Sequence, residues 1–91
     1  MPMHNRGLTK LAEECGELIA AAMKAAAMHD AKPGEDIHWD GKPLKARLEE
    51  EMGDVIAAIN YAGGALGLSK DRVNARAEYK FATYKTWNRE S

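Results

Sequence analysis

The sequence predicts an all-α fold: a helical bundle of three helices per chain, with a four-helix core completed by homodimerisation. Three observations carry this expectation. Apolar residues recur at helical spacing in three segments. Turn chemistry is confined to one long and one short connector between them. Finally, 91 residues with a single cysteine, Cys15, make one domain that buries a limited fraction of its surface and has no disulfide framework, so oligomerisation is the expected remedy.

In chain order, Met1 to Arg6 lacks periodicity and contains Pro2, which predicts an irregular arm with Asn5 available as a helix cap. Helix one is expected from Arg6 or Gly7 to Met28 or His29, with Leu8, Leu11, Cys15, Leu18 and Ala22 as its apolar stripe. Six of the eight residues from Ala20 to Ala27 are alanine, the best helix former, and they give a thin surface that another helix can approach closely. Cys15 reads as a small buried core residue. From Asp30 to Lys42 the periodicity stops, and Pro33, Gly34, Asp40-Gly41 and Pro43 mark a loop longer than a tight hairpin. Its Ile37, His38 and Trp39 either plug the end of the bundle or line a pocket. None of His4, His29 and His38 stands at i+3 or i+4 from another histidine or cysteine, which argues against a histidine metal site.

Helix two is predicted to start at Pro43, a residue suited to the first helical position, and to run to Leu66 with Gly67 as its stop. Leu44, Leu48, Met52, Val55, Ile59 and Ala62 form its stripe. Gly63-Gly64 weakens the helix by about 1 kcal/mol per residue relative to alanine and suggests close backbone contact or a kink. Ser69 is expected to cap helix three, with Asp71 in the first turn where the helix dipole favours an acid, and the helix to end at Trp87 or Asn88. Val73, Ala77, Phe81 and Tyr84 follow core spacing. Arg76, Lys80, Thr83 and Trp87 share a second, cationic face, the candidate to meet a phosphate.

Charge narrows the function classes. The formal net charge is -1 with acids and bases interspersed, so neither a bulk nucleic-acid footprint nor a polybasic membrane patch is expected. No charged-then-apolar leader and no bilayer-length apolar run is present, and the chain reads as a cytoplasmic protein with no membrane partner.

The chemistry is concentrated in two acidic pairs. Glu14 and Glu17 flank the stripe of helix one, and Glu51 and Asp54 repeat that one-turn spacing on helix two. If the helices pack antiparallel through their stripes, four carboxylates meet. Like-charge repulsion must then protonate some of them, or hard cations must bind, and an all-oxygen ligand set favours Mg²⁺, with Mn²⁺ able to substitute. Magnesium held by a few carboxylates keeps positions for water and substrate phosphates, which suggests phosphoanhydride or phosphate-ester chemistry. Di-iron bundles need Glu-x-x-His pairs on their helices, and the predicted helices have none. Glu13 and Glu50, next to the pairs, are candidates to orient or deprotonate a water. Lys10 lies near the Glu14 edge and is either an ion-pair partner or a contact for an anionic ligand, and Trp39 and Trp87 are candidates for a base pocket.

The runs Glu13-Glu14-Cys-Gly-Glu17-Leu18 and Glu50-Glu51-Met-Gly-Asp54-Val55, followed by Leu66-Gly-Leu68 and Lys80-Phe81, resemble the all-α nucleoside triphosphate pyrophosphatase superfamily, the MazG-like pyrophosphohydrolases. The resemblance covers most of the chain. It implies Mg²⁺-dependent cleavage between the α and β phosphates of a nucleoside triphosphate, deoxynucleotides being the first candidates, to give a nucleoside monophosphate and pyrophosphate. It also implies Glu14, Glu17, Glu51 and Asp54 as metal ligands, Lys80 on the phosphates, and a homodimer or a tetramer built from two dimers. Last helices of that type often carry an asparagine before the lysine and arginines after it. Here those places hold Glu78, Thr83 and Tyr84, which leaves Arg76 to share the phosphate role. Phosphoribosyl-ATP hydrolysis within the same superfamily and a non-catalytic helical nucleotide- or metal-binding module are the alternatives.

Overall fold

A computed structural model of the chain describes residues 5–31, 38–39 and 41–90. They form three helices and one minimal ladder: α1 (Asn5–Ala31), β1 (His38–Trp39), β2 (Lys42–Pro43), α2 (Leu44–Leu66) and α3 (Lys70–Glu90). The all-α expectation holds. The ladder is the exception, with His38 opposite Pro43 and Trp39 opposite Lys42 in antiparallel register. The chain therefore reverses tightly between Trp39 and Lys42, and Gly41 takes φ 75° there. The connector, expected to be longer than a tight hairpin, thus contains a tight reversal. Two residues per strand are too few to give a readable alternation.

Helix boundaries differ from expectation in ways that have local causes. Pro43 lies outside α2, with φ -57° and ψ 138°, because it is the last residue of the ladder; the helix begins at Leu44. α1 continues to Ala31, since nothing after His29 breaks it within the described residues. The side chain of Asn5, the expected cap, lies outside the described residues, as does Ile37. Gly67 ends α2 in the left-handed conformation, φ 68°. Its N–H donates to the Gly64 carbonyl and the Leu68 N–H donates to the Gly63 carbonyl at 2.9 Å, a Schellman stop. Ser69 caps α3 as expected, its hydroxyl oxygen accepting the Arg72 N–H at 3.1 Å.

α1 and α2 pack antiparallel along a seam of small residues. Among the described residues, Ala21, Ala25, Ala58 and Ala62 are the buried apolar ones. At the start of α1, Gly7 lies so close to the end of α2 that an added Cβ would stand 3.3 Å from the Ala62 Cα and 3.6 Å from the Ala65 Cβ. Cys15 is half-buried beside the seam. Gly63 and Gly64 meet no neighbour within 4 Å of an added Cβ, so the close contact suggested for them is absent among the described residues. Their place in the fold is that of carbonyl acceptors for the stop.

α3 has no extended packing surface on either other helix. The resulting shape is open: the radius of gyration is 16.1 Å, where about 12 Å is usual for this length, and the chain spans 51 × 33 × 15 Å. No helix among the described residues is long and apolar enough to cross a membrane.

Candidate metal centre

The antiparallel seam decides which acids meet. Carboxylate oxygens of Glu14, Glu51 and Asp54 come within 4.8 Å of one another across the α1–α2 seam, and those of Glu13, Glu14 and Glu17 do so along α1. Glu14 belongs to both groups. Glu17 therefore joins the cluster through Glu14, and no group at that spacing holds it together with Glu51 and Asp54 among the described residues.

Burial gives the cluster its electrostatic character. The Glu14 side chain is 14 % exposed, and Glu51 is half-buried. Glu14 Oε2 and Glu51 Oε2 are buried with no hydrogen-bond partner. A desolvated carboxylate oxygen without a partner demands a proton or a cation. Loss of surrounding water raises the Glu14 pKa, and the charges of Glu17 and Asp54 raise it further. Lys10 opposes them only partly: its Nζ lies 3.1 Å from Glu13 Oε1, to which it donates, and 3.9 Å from Glu14 Oε1. That hydrogen bond, then the Glu13 charge, holds the Lys10 pKa up. The donor set fits a hard divalent ion. Its ligands are all oxygen, span two helices, and include two buried oxygens with no hydrogen-bond partner among the described residues.

Beside the cluster lies an open depression of about 370 Å³ lined by Lys10, Glu14, Asp54, Ala57, Ala58 and Tyr61. Tyr61 is the residue that sequence reasoning passes over. Its signal is the i+7 spacing from Asp54, which puts both on one helix face.

Other expected site residues fall elsewhere. Glu50 accepts a 2.7 Å hydrogen bond from Lys42 of the ladder, which holds its pKa below the ordinary carboxylate value, and it stands in neither acidic group. Arg76 lies over the Tyr79 ring at 5.2 Å and Lys80 over the Tyr84 ring at 5.7 Å, both on α3, and neither lines the depression. Trp87 packs on Tyr84 near the end of α3, with ring centroids 4.9 Å apart. The Trp39 side chain lies outside the described residues. Within one chain, the structure thus joins Glu13, Glu14, Glu17, Glu51, Asp54 and Lys10, while Glu50, Arg76, Lys80 and Trp87 stand apart from them.

Comparison with known proteins adds no family: no family model matches the sequence, no curated protein matches it, and no solved structure matches the fold.

Proposed function

We propose that the chain is a Mg²⁺-dependent nucleoside triphosphate pyrophosphohydrolase that works as a homodimer, hydrolysing the α–β phosphoanhydride to a nucleoside monophosphate and pyrophosphate. One observation carries the reading: carboxylate oxygens from two helices converge within 4.8 Å while two of the buried oxygens have no hydrogen-bond partner among the described residues. The resemblance of the paired acidic runs to MazG-like enzymes supports the choice of reaction.

Glu14, Glu51 and Asp54 would hold the metal, with Glu17 on its α1 side. A divalent ion bound there supplies Lewis acidity toward phosphate oxygens and lowers the pKa of a coordinated water. Glu13, tied to Lys10 at the rim, accepts the proton as water attacks phosphorus and pyrophosphate leaves. Glu50 is assigned no part, because it stands in neither acidic group. Lys10 offers a positive charge at the mouth of the depression, and Tyr61 an aromatic surface for a base. Arg76 and Lys80 contribute to phosphate neutralisation only where a second copy brings α3 to the cluster.

The decisive experiment is a pyrophosphate-release screen of ordinary and modified nucleoside triphosphates and phosphoribosyl-ATP, with Mg²⁺ or Mn²⁺. The wild-type chain is expected to release pyrophosphate from at least one. Glu17→Ala and Asp54→Ala are each expected to abolish metal-dependent turnover while circular dichroism stays helical, and unchanged release in both would sink the assignment. Uptake of Mg²⁺ and nucleotide in calorimetry with no pyrophosphate formed would instead make the chain a binding module.

A further inference from the structure

The formal charge of the whole chain is -1, but the helices do not share it evenly. α1 and α2 carry eight acids against five lysines and arginines, whereas α3 carries six lysines and arginines against three acids, so the pair is at -3 and α3 at +3. Along α3 the charges are sorted again. At about 100° per residue, Arg72, Arg76 and Lys80 fall within a quarter turn of one another, while Asp71 and Glu78 lie on the opposite side of the helix. No acid whose side chain is described stands beside the three cations.

The same face holds three of the large rings of α3. Tyr79, Tyr84 and Trp87 lie within a quarter turn of Arg76 and are 43–63 % exposed. Contacts along the helix show cations and rings mixed on one surface: Arg76 lies 5.2 Å from the Tyr79 centroid, Lys80 lies 5.7 Å from that of Tyr84, and the Tyr84 and Trp87 rings are 4.9 Å apart. α3 makes no extended contact with another element among the described residues, so this face is open in the chain. Solvated lysines need no explanation. Three large rings left in water among cations mark an interaction surface.

We propose that this face of α3 binds single-stranded nucleic acid, the rings stacking on its bases while Arg72, Arg76 and Lys80 pair with its phosphates. Charge and spacing both favour that occupant. The three cations climb the helix in four-residue steps of about 6 Å, close to the step between phosphates of an extended strand. Such a strand offers negative charge and planar faces in alternation, which a surface of interleaved cations and rings can meet together. A duplex keeps its base faces stacked inside. A membrane surface calls for a helix with apolar and cationic residues on separate faces, and here they share one. An acidic peptide would satisfy the cations and leave the rings in water. The near-neutral total is no obstacle, because most of the acids belong to α1 and α2. The hydrolytic reading asks only that α3 lend Arg76 and Lys80 to the cluster of a second copy. Strand binding needs neither the cluster nor a metal, so the two readings fail separately.

Fluorescence anisotropy of the full chain with short labelled oligo(U) and oligo(dT), lacking terminal phosphates and in EDTA, tests this. The expected dissociation constant is below about 100 µM at about 50 mM salt, and at least about tenfold lower than for a duplex of the same length. Binding of either strand supports the proposal, and the tighter of the two names the sugar. The logarithm of affinity is expected to fall with that of salt concentration with a slope of about -2, as for three phosphates on a single strand. Tyr84→Ala and Trp87→Ala are each expected to weaken strand binding by about fivefold or more, with Trp87→Phe restoring most of it. Arg72→Gln should flatten the salt slope by about a third. Phe81→Ala, on the other side of α3, should leave binding unchanged. No strand binding overturns the proposal, including the case in which a dimer covers this face. Duplex bound as tightly as single strand overturns it, and so does strand binding indifferent to both alanine substitutions. Tighter binding to vesicles rich in anionic lipid, or to polyglutamate, likewise overturns it and gives the face to a membrane or an acidic partner.

Discussion

The α1–α2 pair and α3 are equally helical and opposite in almost everything else. The pair is joined by alanines and a glycine, and its buried positions hold some of the smallest side chains in the chain. α3 carries Val73, Tyr79, Phe81, Tyr84 and Trp87, all largely exposed. The pair is acidic and α3 basic. The difference teaches that in this protein helix formation and core formation are separate matters. Caps, stops and propensity make α3 a helix without an extended packing surface on another helix among the described residues, while the pair is held by close approach, in which a thin surface substitutes for bulky packing.

The strongest way to break the comparison is to thicken the seam. Ala62 is 1 % exposed and lies under Gly7, so Ala62→Leu is expected to force α1 and α2 apart at a cost of about 1–3 kcal/mol. In thermal unfolding that is a fall of roughly 4–8 °C for each kcal/mol in a domain of this size. The same variant should weaken Mg²⁺ binding, because the seam sets the distance from Glu14 to Glu51. Wild-type midpoint and metal affinity in the Ala62→Leu variant would show that the alanines do not set the spacing.

Next in size is a pH effect confined to the pair. The Glu14 pKa is raised in the folded state, so folding favours its proton. The resulting loss of stability is absent well below the ordinary value of 4.5, grows as pH rises from there through the raised folded value, and is complete above it. A cation at the cluster offsets this loss only where the carboxylate is charged. Mg²⁺ is therefore expected to raise the thermal midpoint more at about pH 7.5 than near pH 5. In Glu14→Gln the metal-free midpoint should rise at neutral pH and the response to Mg²⁺ should disappear. Equal Mg²⁺ shifts at both pH values would remove Glu14 from the metal centre.

The smallest expected effect lies in α3. Ser69→Ala deletes the hydroxyl that accepts the Arg72 N–H, worth about 1 kcal/mol at a helix start. Because α3 has no extended contact with the pair in its own chain, faster amide exchange is expected over residues 72–75, with the seam amides of α1 and α2 unchanged. Faster exchange in the seam as well would mean that α3 and the pair unfold as one unit, and the contrast between them would dissolve.

Much of this is legible in the residues. Gly67 announces the stop of α2 and Ser69 the cap of α3, because both act through backbone groups within a few residues of themselves. The ladder escapes a sequence reading because its strands are two residues long, and Pro43 reads as helical because proline suits a first turn as well as a strand end. Within the candidate site, Glu14 is readable from spacing, whereas Tyr61 is hidden among ordinary helix positions until α1 is in place beside it. Glu50 and Lys42 are eight residues apart across an element boundary, a distance at which helical spacing predicts nothing.

By itself the sequence determined three helices, the stop of α2, the cap of α3, and two pairs of acids at one-turn spacing, since each depends on neighbours along the chain. Only the tertiary structure decided that Glu14, and not Glu17, is the acid shared between the helices, and that Lys42 takes Glu50 away from the cluster. It also decided that α3 stands off with its aromatics uncovered. The physical reason is common to all of these. Periodicity fixes the face on which a side chain lies, but the distance between two faces is set by what packs between them, and here that is a seam of alanines.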